Sequence, residues 1–176
     1  KSQTPVSPEF WKYAYPLGYQ ETVFHYANLY GVDPYFALAV IREESRFNPN
    51  VISWARAHGL MQVIPPTGEA LAKKLNIPHF NEQMLLDPEI SIRMGVYYLK
   101  MLFDAHPDNP ILVLAHYNAG PVATDRWLKA KGNKDWIEFI ESITYRETRF
   151  YVKKVLSSYW EYRRIYTNST GITLPK

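Results

Sequence analysis

The sequence predicts an α+β fold, mostly α-helical with a small β-hairpin element. Two observations point to helices. An Asp-Pro or Asn-Pro pair opens three apolar stretches, at Asp33-Pro34, Asp87-Pro88 and Asn109-Pro110, and a capping acid or amide followed by proline at the first helical position is a helix start. Gly31 and His106-Pro107 supply stops of the expected kind. The third observation concerns the one stretch without helical logic, Asn48 to Pro65. It mixes Val51, Ile52, Val63 and Ile64 with small and turn-prone residues, which suits a short hairpin.

In chain order, residues 1–18 carry Pro5, Pro8 and Pro16 without a clear period and read as an N-terminal arm or linker. Gln20 to Tyr30 forms the first helix, ended by Gly31. The Asp33-Pro34 helix follows, and the Asp87-Pro88 helix runs to about Ala105. Asn109-Pro110 opens an apolar helix through "ILVLAHY". Val122 to Lys131 and Asp135 to Ile143 read as two shorter helices, and Thr144 to Tyr166 as a long final one. The domain therefore spans residues 19–166, and residues 167–176 form a polar C-terminal tail.

A chain of 176 residues suits one domain with a real core. With 47% hydrophobic and 21% charged residues it is globular rather than disordered. No apolar run reaches bilayer length, so no transmembrane segment is expected. The chain starts at Lys1, without Met or a signal-like segment, and reads as a mature or trimmed product. The absence of cysteine excludes disulfides and thiol catalysis. A net charge of +3 and only short basic pairs, such as Lys153-Lys154 and Arg163-Arg164, argue against nucleic-acid binding. The His residues at 25, 58, 79, 106 and 116 lack ligand spacing and no phosphate-cradling loop appears, so no metal and no cofactor are expected. The aromatic share is 15%, with 14 Tyr and 5 Trp, and such rings serve cores and sugar-binding grooves alike.

Two adjacent glutamates end the second helix, in "IREESRFNPN". At about 100° per residue, Glu44 falls near the middle of the apolar arc between Val40 and Ile41, while Glu43 lies toward its edge and Arg42 and Arg46 opposite. A carboxylate in a partly apolar site loses hydration, so its pKa rises and it can act as a general acid. The alternative is a helix-end glutamate paired with Arg42 or Arg149.

The neighbouring residues carry a family resemblance. "ESRFNP", from Glu44 to Pro49, resembles the E-S-x-F-x-P opening of the lytic transglycosylase catalytic domain, a lysozyme-like family that cuts peptidoglycan. "SWARAHGLMQ", from Ser53 to Gln62, resembles the family's S-x-A-G-A-x-G-L-M-Q block, and Tyr117 to Pro121 its Y-N-A-G-P. "ESITYRETRFYV", residues 141–152, is similar to the signature of the soluble Slt-type branch. Four blocks in the family's order are far more specific than any one. Arg56, Ile64, His116 and Thr144 depart from the usual Gly, Met, Ala and Pro.

The resemblance implies a lysozyme-like fold with Glu44 in the catalytic position and peptidoglycan glycan strands as partner. It implies Ser53, Met61, Gln62, Tyr117, Asn118, Glu147 and Tyr151 as substrate-binding residues, with the Tyr117 hydroxyl near Glu44. Each has a plainer alternative. Ser53 suits a turn, Met61 a core filler, Tyr117 a buried phenol bonded to backbone, Asn118 a helix stop, and Glu147 a capping box with Thr144. It further implies a bacterial periplasmic or cell-envelope location and an upstream helical domain in the full-length protein.

Glycoside hydrolysis ordinarily uses two carboxylates, but residues 48–66 contain no Asp or Glu. The family instead lets the substrate supply the nucleophile, so that a muramoyl C6 hydroxyl attacks C1 and leaves a 1,6-anhydro end. Three rivals stay open: a hydrolytic lysozyme-like muramidase, a non-catalytic peptidoglycan-binding module, and a helical-repeat interaction protein.

Overall fold

The capping pairs seen in the sequence are the starts of helices in the computed structural model, which describes residues 8–167. The Asp33 side chain accepts from Tyr35 N–H and opens α3 (Pro34–Ser45). Asp87 accepts from Ile90 N–H at α5 (Pro88–Ala105), and Asn109 from Leu112 N–H at α6 (Pro110–Lys129). Gly31 closes α2 (Gln20–Tyr30) in the left-handed conformation, its N–H on Ala27 and Asn28 carbonyls. A full capping box between Asp135 and Glu138 starts α7 (Trp136–Ser142), and α8 runs Arg146–Thr167. Two elements carried no assignment from the sequence, α4 (Pro65–Lys74) and a short 3₁₀ segment (Glu82–Leu86).

Two expectations are corrected. No β-hairpin forms among the described residues. Residues 48–65 make only isolated antiparallel bridges, Ile52 with His58 and His58 with Val63, because Arg56, Gly59 and Gln62 take left-handed backbone conformations that interrupt any ladder. The arm is not irregular throughout, since Pro8–Ala14 forms a short α1. Pro110–Lys129 is interrupted at Gly120 (φ 77, ψ 173), just before Pro121, so two helical stretches meet at a kink, in line with the two expected there. Residues 1–7 and the tail beyond Thr167 lie outside the described residues.

The core is built around α3. Phe36 through Ile41 are all buried, and a helix that is apolar on every side belongs in the middle of a domain. On α8, Thr148, Tyr151, Val152, Val155, Leu156, Ser158 and Tyr162 form the buried stripe expected of an amphipathic helix. α3 packs chiefly against this stripe, α2 against α5, and α6 against α8.

The seam between α3 and α8 holds a polar knot. The Arg42 guanidinium lies 2.6 Å from one Glu43 carboxylate oxygen, which also accepts from Ser158 Oγ at 2.7 Å. Arg46 reaches the second oxygen at 3.3 Å. The Glu43 side chain is only 5% exposed, so the edge of the apolar arc is a helix–helix contact rather than a solvent face. Arg42 also donates to the Ala14 carbonyl and stacks on Tyr15, while Tyr162 and Tyr166 hydroxyls donate to the Pro16 and Tyr15 carbonyls. These bonds fasten the end of the arm to the domain.

Three stability outcomes follow from this packing. Glu43→Gln should lower the unfolding free energy by about 1–3 kcal/mol in urea, because a buried ion pair loses one partner. Gly59→Ala should cost about 3 kcal/mol or more, since the added carbon would lie 1.9 Å from the Leu85 carbonyl oxygen. Gly120→Ala, where a side chain would meet nothing within 4 Å, should cost only the backbone strain, about 1–2 kcal/mol. Equal losses at the two glycines would contradict the packing described for the loop.

Candidate active site

The last turn of α3 delivers Glu44 to a surface that other elements complete. Immediately beyond it, Arg46 and Phe47 both take left-handed conformations (φ 52 and 62) and turn the chain away. Glu44 thus ends at the meeting point of two clefts. The first, about 450 Å³, is walled by the 53–64 loop on one side and by Tyr117 to Pro121 of the α6 kink on the other. The second, about 630 Å³, lies toward α8, with Tyr151, Phe150, Arg146 and Lys154 on its wall. Glu44, Asn118 and Glu147 border both.

Glu44 is half-buried, and its pKa is pushed up from an ordinary 4.5 to about 7. Loss of hydration is the main cause; proximity to the Tyr151 phenol pulls the other way, and the charges of Glu147 and Glu43 add to the rise. No lysine or arginine contributes, because Arg42 and Arg46 are spent on Glu43. The pair of adjacent glutamates is thereby divided, with Glu43 taking the paired role and Glu44 the unpaired one. Burial lifts the Tyr117 and Tyr151 hydroxyls well above the usual phenol range, with the charge of Glu44 adding to it. Both phenols therefore stay protonated and available as donors.

The eight residues singled out in the sequence do not all reach the clefts. The Tyr117 hydroxyl donates to the Met61 carbonyl at 2.7 Å, so its proton is not given to Glu44 here. The buried Tyr151 hydroxyl makes no hydrogen bond of good geometry, although it is close enough to act on the Glu44 charge. Met61 is the clearest departure from expectation. Its side chain is fully buried beside Gly95 and does not line a cleft, leaving only its backbone carbonyl at the site.

Ser53 lines the first cleft but also holds its own turn, with Oγ accepting from Ala57 N–H at 3.0 Å. Gln62 sits at φ 47 and donates through Nε2 to the Val51 and Gly59 carbonyls, which leaves Oε1 as its acceptor facing other partners. Asn118 accepts from Thr148 Oγ1 at 2.6 Å through Oδ1, so its amide N–H groups are the part available to a ligand. The helical stretch that carries it ends two residues later, at the Gly120 kink. Glu147 is exposed between the clefts, and no capping box with Thr144 forms: the Thr144 hydroxyl accepts from the Trp127 indole instead.

Tyr98 carries no signal in the sequence that marks it for the site. It lines the first cleft from α5, with its ring 5.3 Å from that of Tyr117. His116 lines the same wall and shares a 3.2 Å contact with His106. Burial lowers the pKa of both imidazoles. Among the described residues no three His, Asp or Glu side chains gather as metal ligands, and no helix is long and apolar enough to cross a membrane.

This geometry has relatives. A soluble lytic murein transglycosylase of Escherichia coli (strain K12) is 36% identical over 167 residues, covering 91% of this chain and 26% of the relative. The crystal structure of the 70-kDa soluble lytic transglycosylase from Escherichia coli superposes with a TM-score of 0.83 at 37% identity, covering 87% of this chain and 25% of that one. An inactive mutant of the lytic transglycosylase Slt from Pseudomonas aeruginosa superposes with a TM-score of 0.84 at 31% identity, covering 90% and 26%. The chain thus spans about a quarter of the length of these relatives. The family model of the transglycosylase SLT domain matches residues 21–140, and with these relatives it places the chain in the transglycosylase SLT domain family.

Proposed function

We propose that the chain is a peptidoglycan lytic transglycosylase of the bacterial cell envelope, with Glu44 as its single general acid/base. The observation that supports this most directly is Glu44 itself, a carboxylic acid with a pKa of about 7 between two clefts. A glycan strand laid across both clefts brings one glycosidic oxygen to it. Glu44 gives its proton to the oxygen linking C1 of N-acetylmuramic acid to N-acetylglucosamine. The C1–O bond breaks, its electron pair stays on the leaving oxygen, and the 2-acetamido oxygen stabilises C1. The carboxylate then takes the proton of the muramoyl C6 hydroxyl as that oxygen bonds to C1. Glu44 regains its proton, the product is a 1,6-anhydromuramoyl end, and no water is consumed. Tethering the nucleophile to the same sugar supplies the proximity that an enzyme-held water lacks.

Tyr151, protonated and close to Glu44, is placed to steady the carboxylate form of Glu44 between the two steps. Tyr117 acts one bond further out, holding the Met61 carbonyl and hence the loop wall. Ser53, the Gln62 carbonyl oxygen and the Asn118 amide offer hydrogen bonds to the strand.

One observation favours a hydrolytic reading. Glu147 is an exposed carboxylate bordering both clefts, where it could activate water. Product chemistry separates the two. Digested sacculi should release muropeptides one water lighter than lysozyme products, without reducing muramic ends and without label from oxygen-18 water. Reducing, labelled ends would make the chain a hydrolase. Glu147→Gln should slow lysis by about tenfold or less and leave the product unchanged, as expected for a group that only binds.

Glu44→Gln should abolish lysis and raise stability at alkaline pH. The folded protein keeps the Glu44 proton up to about pH 7, whereas the unfolded chain releases it near 4.5. Stability therefore falls as pH rises through that window, by about 1–3 kcal/mol once solvent contact of the half-buried group is allowed for. Glutamine removes the loss, so the variant should gain that amount at pH 8 and little at pH 4, as read from urea unfolding. In the native enzyme kcat/KM should fall above about pH 7, where the acid form disappears.

A further inference from the structure

Trp54 is 93% exposed, more than any other large apolar side chain among the described residues. Three of the other four tryptophans are used by the fold: Trp127 is buried against Tyr145, Trp136 packs on Phe139, and Trp11 lies under Arg164, while Trp160, 39% exposed, does not line the cleft. Trp54 makes no ring contact among the described residues, yet it lines the cleft that holds Glu44. An indole left in water forfeits about 1.5–3 kcal/mol of burial, and the turn that carries it has no need of the ring.

That turn is braced without Trp54. Ser53 N–H donates to the Ala57 carbonyl at 2.9 Å, Arg56 N–H to the Ser53 carbonyl at 2.9 Å, and Ala57 N–H to Ser53 Oγ at 3.0 Å. The Arg56 guanidinium then grips both Glu82 oxygens at 2.7 and 2.8 Å, which ties the turn to the 3₁₀ segment. A large, flat, apolar side chain is thus held out on a fixed support at the cleft wall. Ile64, 42% exposed, adds a second apolar group to the same cleft.

We propose that Trp54 is a stacking platform for a pyranose ring of the glycan strand, one removed from the ring whose bond is cut. This rests on the reading of the chain as an enzyme of glycan strands. A β-linked amino sugar presents axial C–H groups on one face, which suit the electron-rich indole face, and the indole N–H can donate to a hydroxyl or acetamide oxygen. The contact is uncharged and therefore insensitive to salt. Because it is made alike in ground and transition states, it sets affinity rather than turnover.

The test uses Glu44→Gln protein, which binds without cutting, and titrates it calorimetrically with N-acetylglucosamine hexamer and with solubilised glycan strands. Adding Trp54→Ala should weaken binding by about tenfold at low and high salt alike, and Trp54→Tyr should restore it to within about threefold. With Glu44 intact, Trp54→Ala should raise KM by a similar factor, with kcat within about twofold and products of unchanged mass. Affinity equal to that of the Trp54 protein would overturn the proposal, as would a fall in kcat at unchanged affinity. If wild-type products carry reducing ends while binding still depends on Trp54, the reaction reading fails and the platform stands. If anhydro products form and Trp54→Ala binds normally, the platform alone fails.

Discussion

The Glu43 carboxylate, held by Arg42, Arg46 and Ser158, is the interaction on which the rest of the site depends. It pins the end of α3 to α8, and Arg42 extends the same knot to the end of the N-terminal arm. Its less obvious effect is electrostatic. With Arg42 and Arg46 engaged by Glu43, no cation lowers the Glu44 pKa, and desolvation leads its rise to about 7. An arginine on Glu44 instead would have held the acid ionised and useless as a proton donor.

The clefts on either side are made by tying distant segments together through single bonds. Tyr117 on α6 holds the Met61 carbonyl, and Met61 itself plugs into the core against Gly95. Asn118 on α6 is joined to Thr148 on α8 at 2.6 Å. Gln62 clasps its own loop at two carbonyls from a left-handed backbone position. Backbone strain of this sort is kept only where surrounding bonds over-determine it, and here it fixes the wall that faces the acid.

Helix starts were legible because capping is local: Asp33, Asp87 and Asn109 each satisfy N–H groups within three residues. The Glu44 direction was legible from periodicity for the same reason. The knot around Glu43 was not, since Ser158 lies 115 residues away and helical projection shows an edge without showing what covers it. The hairpin expectation failed because β-branched residues are no guarantee of a ladder when left-handed residues intervene, as Arg56 and Gln62 do. Met61 was drawn toward the cleft by its place in a motif, whereas only its carbonyl is needed there. Tyr98 carries no local signal, as its part comes from the packing of α5 behind Tyr117.

The two adjacent glutamates are set apart by their surroundings: Glu44 keeps its proton up to about pH 7, while Glu43 is held by Arg42, Arg46 and Ser158. Carbon-13 NMR of side-chain carboxyls, followed from pH 3 to 9 with Glu44→Gln to assign the signal, reads this directly. One resonance, absent from the variant, should titrate with a midpoint near 7. A Glu44 resonance titrating in the ordinary range near 4.5 would contradict it.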